Sequence, residues 1–155
     1  MSDIHYMHEA LVLARQAYDT QEVPVGAVVV FPEGEIIGQG YNAVERVRCQ
    51  MAHAEARAIE MACARMQDWR LERCTLYVTL EPCMMCVSLA ALSRIERVVY
   101  GAESPLFGYR LDKEGVLQLY TNQIKNITAG VCAEESSRLL QDFFRRKREK
   151  RGTCE

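Results

Sequence analysis

The chain has 155 residues, 49% of them apolar, and a formal net charge of −2. That size and composition fit one domain with a substantial core and exclude a fibrous repeat or a low-complexity, disordered chain. The apolar runs are far shorter than the ~18 residues of a membrane span. The opening MSDIHYMHEALVLARQAY lacks a basic start followed by an apolar block, so a cytoplasmic protein that does not engage a membrane is expected.

In chain order, residues 4–18 place Met7, Leu11, Ala14 and Tyr18 near helical spacing, which predicts an amphipathic helix. His5 and His8 share it and read as surface histidines, because no acid or thiol is paired with them in the sequence. Val25–Phe31 reads as a buried strand, Pro32-Glu33-Gly34 as a turn and Glu35–Asn42 as a second strand, together a hairpin. A polar loop runs to about residue 51. From His53 to Met66 a helix is expected, with Ala54, Ala58, Met61 and Ala62 on its small apolar face. Cys74–Leu80 is the clearest buried strand. It leads into Glu81-Pro82, where proline suits the first turn of a helix reaching about Ser93. Arg97–Gly101 and Ile127–Val131 read as short strands, with residues 102–126 irregular between them. Glu134–Lys150 closes the chain as a helix with Leu139, Leu140, Phe143 and Phe144 as its stripe. Strands alternating with helices predict an α/β fold: a sheet with a hairpin start and crossover connections, undivided by any linker over 1–155.

Charge is unevenly placed. Residues 145–155 carry six Lys/Arg against two Glu, whereas the other 144 residues carry 13 basic and 19 acidic side chains. A basic end on an acidic body suits contact with a polyanion, although cations also favour the end of a helix for its dipole alone.

The chemistry gathers at two predicted helix starts. Cys83 and Cys86 lie one turn apart at one of them, and His53 and Glu55 at the other. Helix starts that follow parallel strands meet at one sheet edge, so residues thirty apart can converge. A helix N-terminus lowers thiol pKa and favours the thiolate that a metal binds. Two sulfurs and one imidazole suit Zn²⁺ and leave a fourth position open to activate water. Glu55 is then placed to move protons. Two other readings stand beside this one. The cysteines could be a disulfide pair, which an odd count of seven and the absence of an export signal disfavour. They could also belong to a closed structural site completed by Cys49, four residues before His53, which would leave Glu55 without a role. Cys63, Cys74 and Cys132 read as small apolar filler, and Cys154 as an exposed tail thiol.

The segments His53-Ala54-Glu55 and Pro82-Cys83-Met84-Met85-Cys86 resemble the H-x-E…P-C-x-x-C signature of the cytidine-deaminase-like zinc deaminases. VPVGAVVV at 23–30, the GYN ending at Asn42, TLYVTLEPCMMC at 75–86, SRIERVVYGA at 93–102 and LLQDFFRRKRE at 139–149 are similar to the bacterial tRNA-specific adenosine deaminases. The resemblance implies a three-layer α/β/α fold with a five-stranded mixed sheet. It implies a homodimer that converts the wobble adenosine of a tRNA anticodon stem-loop to inosine. Carried over by position, His53, Cys83 and Cys86 would hold one zinc per chain and Glu55 would shuttle protons. Asn42 and the Ala54 backbone would hold the flipped base, and Val25 would wall the pocket. Arg145, Arg146 and Lys147 would lie near RNA backbone. One stretch departs from the family: where an Asp-x-Lys-Thr-Gly segment is usual, this chain has Ser104-Pro105-Leu106-Phe107-Gly108. Arg48-Cys49-Gln50-Met51 likewise replaces the usual Asp-Pro-Thr before Ala52. A deaminase of a free base such as cytosine or guanine, and a non-catalytic zinc module, are the alternatives.

Overall fold

The computed structural model describes residues 1–115, 118 and 122–152. Helix α1 (Asp3–Asp19) leads to strands β1 (Gly26–Val30) and β2 (Ile36–Tyr41), a short helix α2 (Val44–Val47) and helix α3 (Ala54–Met66). Strand β3 (Thr75–Leu80), helix α4 (Met84–Leu92), strand β4 (Arg97–Ala102), a 3₁₀ turn at Tyr109–Leu111, strand β5 (Asn126–Thr128) and helix α5 (Ala133–Gly152) follow. The expected order of elements stands with two differences: the stretch read as a polar loop contains α2, and the last strand is Asn126–Thr128 and not Ile127–Val131. Cys154 lies outside the described residues.

The five strands form one sheet in the order β2-β1-β3-β4-β5. β1 is antiparallel to both β2 and β3, while β3, β4 and β5 are parallel. This is the mixed sheet expected, with a hairpin first and crossovers after. Both faces are covered. Ala27, Val29, Leu76, Val78, Val98 and Tyr100 pack with buried residues of α3 and α4. Val28, Val30, Tyr77 and Val99 pack with Tyr6, Met7, Ala10 and Leu13 of α1. The architecture is therefore a three-layer α/β/α sandwich, and β1 is buried throughout because it has a helix on either side.

Glycine sets the spacing of the α3 layer. A Cβ on Gly38 would lie 2.1 Å from the Ala58 carbonyl oxygen, and one on Gly40 2.3 Å from that of Ala54. Only bare backbone lets the alanine face of α3 rest directly on β2. That contact fixes the height of the α3 start above the sheet.

Three helix details differ from expectation. Met61 is exposed, and Ile59 is buried in its place. β2 is an edge strand, so the outer flank of α3 has nothing to pack on, while its inner flank faces the core shared with α4. On α5 only Ser136 and Phe143 are buried; Phe144 is exposed, and Leu139 and Leu140 are half-buried. Pro82 precedes α4 instead of opening it, because Cys83 is the N-cap residue.

The start of α1 is tied to the sheet. Arg97 donates from both terminal nitrogens to the two Asp3 carboxylate oxygens at 2.8 Å, and the Tyr77 hydroxyl donates to Asp3 at 2.8 Å. These hydrogen bonds, chiefly those from Arg97, hold the Asp3 carboxyl below its ordinary range against the opposing effect of burial.

Candidate active site

The C-terminal ends of β3 and β4 open onto a pocket lined by Val25, Asn42, His53, Ala54, Glu55, Leu80, Glu81, Cys83, Ser104 and Phe107. Every catalytic, metal and substrate-binding candidate from the sequence is in this pocket or in the ligand group beside it. His53 is the N-cap residue of α3 and Cys83 the N-cap residue of α4. Glu55 and Cys86 lie in the first turns of the same helices. Two positive helix ends therefore converge where anionic sulfur and carboxylate gather.

The Nδ1 atom of His53 is 3.6 Å from the Cys83 sulfur and 3.5 Å from the Cys86 sulfur. A tetrahedral zinc with Zn–S of about 2.3 Å and Zn–N of about 2.0–2.1 Å has N···S edges of about 3.5–3.6 Å. The donors therefore fit zinc in both type and spacing. The three ligand atoms form one group, and among the described residues no fourth protein ligand belongs to it. Cys49 is exposed on the loop after α2 and outside the group, so a closed site completed by Cys49 is not formed. The disulfide reading fails as well, since Cys83 and Cys86 are both free thiols.

The electrostatics favour a metal-binding thiolate. Hydrogen bonds from Cys86 and His53, together with the Cys86 backbone amide, lower the Cys83 pKa to about 4 despite burial. Cys86 is raised, because its proton is shared toward Cys83 and it is buried. The hydrogen bond to Cys83 raises His53, partly offset by burial. Glu55 is only 4% exposed. Burial pushes its carboxyl up to about 7, against the pull of its own backbone amide and of His53. A carboxyl poised near neutrality in an enclosed pocket is suited to taking up and returning a proton.

Asn42 is held with part of its hydrogen-bonding capacity in use. Its Nδ2 donates to the Val23 carbonyl at 3.2 Å, and its Oδ1 accepts from the Val44 amide at 3.4 Å. One N–H and one lone pair of the amide are left for a ligand in the pocket. Its position follows from the hairpin, since the Asn42 amide donates to the Val25 carbonyl at 3.0 Å and extends the β1–β2 ladder by one step.

The sequence reading missed the opposite wall. Glu81 is buried and accepts from the Ser104 amide (2.9 Å), the Arg110 amide (3.2 Å) and Arg110 Nε (2.9 Å) and Nη2 (3.2 Å). Burial would raise this carboxyl, but these bonds together hold it below its ordinary range. A Cβ on Gly108 would meet the Glu81 carboxylate at 2.4 Å, so only glycine lets the loop close over it. Segment 104–111, whose first five residues, 104–108, depart from the family pattern, is thereby suspended beside the pocket. Phe107, 74% exposed, stands at the mouth.

Arg145, Arg146 and Lys147 do not reach the pocket. They lie on the exposed part of α5, where Arg145 and Arg146 pair with Asp142 and Arg146 covers the Tyr18 ring at 5.6 Å. Lys147 is 5.8 Å from the Phe143 ring. Helices α1 and α5 run in the same direction, since His8 meets Glu135 and Tyr18 meets Asp142. The basic part of α5 thus accompanies α1 toward residues 20–23, the segment whose Val23 carbonyl holds Asn42. A groove lined by Tyr18, Asp19, Gln21, Arg146, Lys147 and Lys150 lies there.

Residues 1–102 match the family model described as the cytidine and deoxycytidylate deaminase zinc-binding region. This chain belongs to that deaminase family. A curated relative of the deaminase, the tRNA-specific adenosine deaminase of Bacillus subtilis, is 44% identical over 94% of the chain and 91% of its own length. The tRNA(Ile)-lysidine synthase of Deinococcus deserti is 43% identical over 94% of the chain, but the chain spans only 27% of that protein. Among solved structures, one from a study of A-to-I editing by tRNA:A34 deaminases at the wobble position superposes with a TM-score of 0.80 at 37% identity, covering 88% of this chain and 99% of that one. Guanine deaminase from Nitrosomonas europaea superposes with a TM-score of 0.81 at 25% identity, over 92% of this chain and 84% of that one. The five-stranded sheet and its helical layers are thus those of zinc-binding deaminases.

Proposed function

We propose that this deaminase hydrolyses adenosine to inosine at the wobble position of a tRNA anticodon. The observation that carries the reading is the 44% identity to a tRNA-specific adenosine deaminase across 94% of the chain. The tRNA:A34 deaminase fold match, at 37% identity, supports the same substrate ahead of the guanine deaminase match at 25%.

His53, Cys83 and Cys86 hold one zinc in the catalytic pocket of each chain. Bound zinc supplies the Lewis acidity that activates a water near neutral pH. The chain's own groups do the rest. Glu55 takes a proton from the attacking water and delivers one to a ring nitrogen of the purine. Once the water oxygen is bonded to the ring carbon, Glu55 takes the second proton from that hydroxyl and passes it to the exocyclic amine, so the carbon–nitrogen bond breaks, ammonia leaves and the ring carbon keeps the oxygen as a carbonyl. Asn42 and the Ala54 backbone hold the base edge, Val25 and Leu80 enclose the ring, and Phe107 closes the mouth. An unpaired anticodon base enters such a pocket at low unstacking cost. Arg145, Arg146 and Lys147 run beside the RNA backbone.

The whole of 1–155 acts as one domain, paired as a homodimer through the exposed apolar side chains of Met84, Met85, Leu106 and Leu111 that adjoin the pocket. No helix of the described residues is long and apolar enough to cross a membrane, and the enzyme works in the cytoplasm on its tRNA. The test is zinc-loaded protein incubated with an anticodon stem-loop carrying wobble A, with free adenosine, and with guanine. Inosine in the RNA supports the proposal. Reaction confined to guanine or free nucleosides sinks it, and points to the altered 104–108 segment as the reason.

A further inference from the structure

Outside the catalytic pocket, the described residues hold one other group of mixed metal-binding donors: His8 on α1, Cys132 just before α5, and Glu135 in the first turn of α5. Their nitrogen, sulfur and oxygen atoms all lie within 4.8 Å of one another. His8 Nε2 and Glu135 Oε1 are 3.3 Å apart, close to the ~3.3 Å edge between nitrogen and oxygen ligands around one tetrahedral zinc. The sulfur has less freedom than the other two donors. Cys132 is half-buried against the Tyr6, Met7 and Val28 cluster. Its carbonyl accepts from the Ser136 amide at 3.1 Å, which begins the helix. The side next to His8 and Glu135 opens into a cleft lined by His8, Leu11, Val12, Arg15, Glu135 and Leu139, with room for a solvent ligand.

We propose that His8, Cys132 and Glu135 form a second metal site, for Zn²⁺ or a similar borderline divalent ion, which clasps α5 to α1. The donor set argues for the ion class. A thiolate and an imidazole select zinc, cobalt or nickel over magnesium or calcium, and a thiolate with a carboxylate balances a divalent charge. The clasp joins residues 8 and 132–135, far apart in the chain, at the root of the helix whose far half carries the basic side chains. It therefore fixes the direction in which that half projects, without touching the catalytic zinc ligands.

The test is metal stoichiometry by native mass spectrometry on the intact protein at micromolar free zinc, alongside thermal melts. Wild type should bind two zinc ions per chain. Cys132→Ser and His8→Ala should each bind one, keep their deaminase activity, and lose the rise in Tm that excess zinc gives wild type. Glu135→Gln should weaken the second site several-fold. As a second measurement, Co²⁺ added to protein already holding one zinc should produce a thiolate-to-cobalt absorption band in wild type but not in Cys132→Ser. One zinc per chain in wild type, or a second zinc retained in both Cys132→Ser and His8→Ala, overturns the proposal. These readouts are independent of which nucleobase the enzyme deaminates.

Discussion

At the scale of single residues, the proposed function divides the pocket into groups that bind metal, move protons and hold the base. Glu55 belongs to the second class alone, because its carboxylate is outside the ligand group formed by His53, Cys83 and Cys86. Glu55→Ala should therefore retain zinc, measured by atomic absorption, and lose turnover by ~10² or more. Unchanged turnover would remove Glu55 from the mechanism. Phe107 presents an open aromatic face at the mouth, where the proposed RNA substrate would bring the nucleotide beside the target base. Stacking on an aromatic side chain contributes about 1–3 kcal/mol per base. Phe107→Ala should raise KM for the stem-loop about tenfold or more while leaving zinc content unchanged; an equal KM would show that the ring makes no contact with RNA. The motif residues were legible in the sequence because their chemistry is tied to spacing: His53 and Glu55 two apart, Cys83 and Cys86 three apart. Glu81 was not. A single carboxylate followed by proline has no signature of its own, and its role comes from Ser104 and Arg110, which only the folded chain brings to it.

At the scale of elements, helices hold the site because their starts are fixed against the sheet. The bond network around Asp3 is the corresponding anchor for α1. Its carboxyl is depressed in the folded chain, so its contribution is complete above the ordinary carboxylate pKa and is lost as pH falls through the folded value. Asp3→Asn should lower stability at pH 7 by about 1 kcal/mol, or roughly 3 °C in Tm. It should also lose less than wild type between pH 5 and 3 in parallel melts. An identical acid profile for both proteins would mean that the pair adds nothing. Strand and helix order could be read from periodicity, since β1 and β3 are apolar runs and α1 alternates faces at helical spacing. Which flank of a helix is buried could not be read. Met61 and Ile59 both fit an apolar face of α3, and the choice between them depends on β2 being an edge strand, a property of strand order and not of local sequence. The exposed Phe144 likewise depends on the fold, because α5 meets the sheet at Ser136 beside Gly101 and by residues 142–143 packs on Tyr18 of α1 instead.

At the scale of the whole molecule, charge and architecture separate two tasks. The acidic body carries the pocket, and the basic residues 145–151 ride on one helix that follows α1 toward the pocket edge. Replacing Arg145, Arg146 and Lys147 together with alanine should weaken stem-loop binding and flatten the logarithmic dependence of affinity on salt by about two, given a slope of about 0.7 per phosphate contact in single strands. Deamination of a free nucleoside, if measurable, should be unaffected. A salt dependence identical to wild type would place the RNA elsewhere. A different consequence follows from the loop hung on Glu81. The proposed catalytic groups are drawn from residues 42–86, while segment 104–111 is pinned at both ends: Ser104 and Arg110 bind the Glu81 carboxylate, and Gly108 and Tyr109 pair with Cys83 and the Pro82 carbonyl, leaving 105–107 exposed between them. Such a modular joint lets the selectivity of the mouth diverge without retuning the chemistry behind it. An engineer who preserved Ser104 and residues 108–110 could exchange Pro105–Phe107 as a lip on a constant reactor.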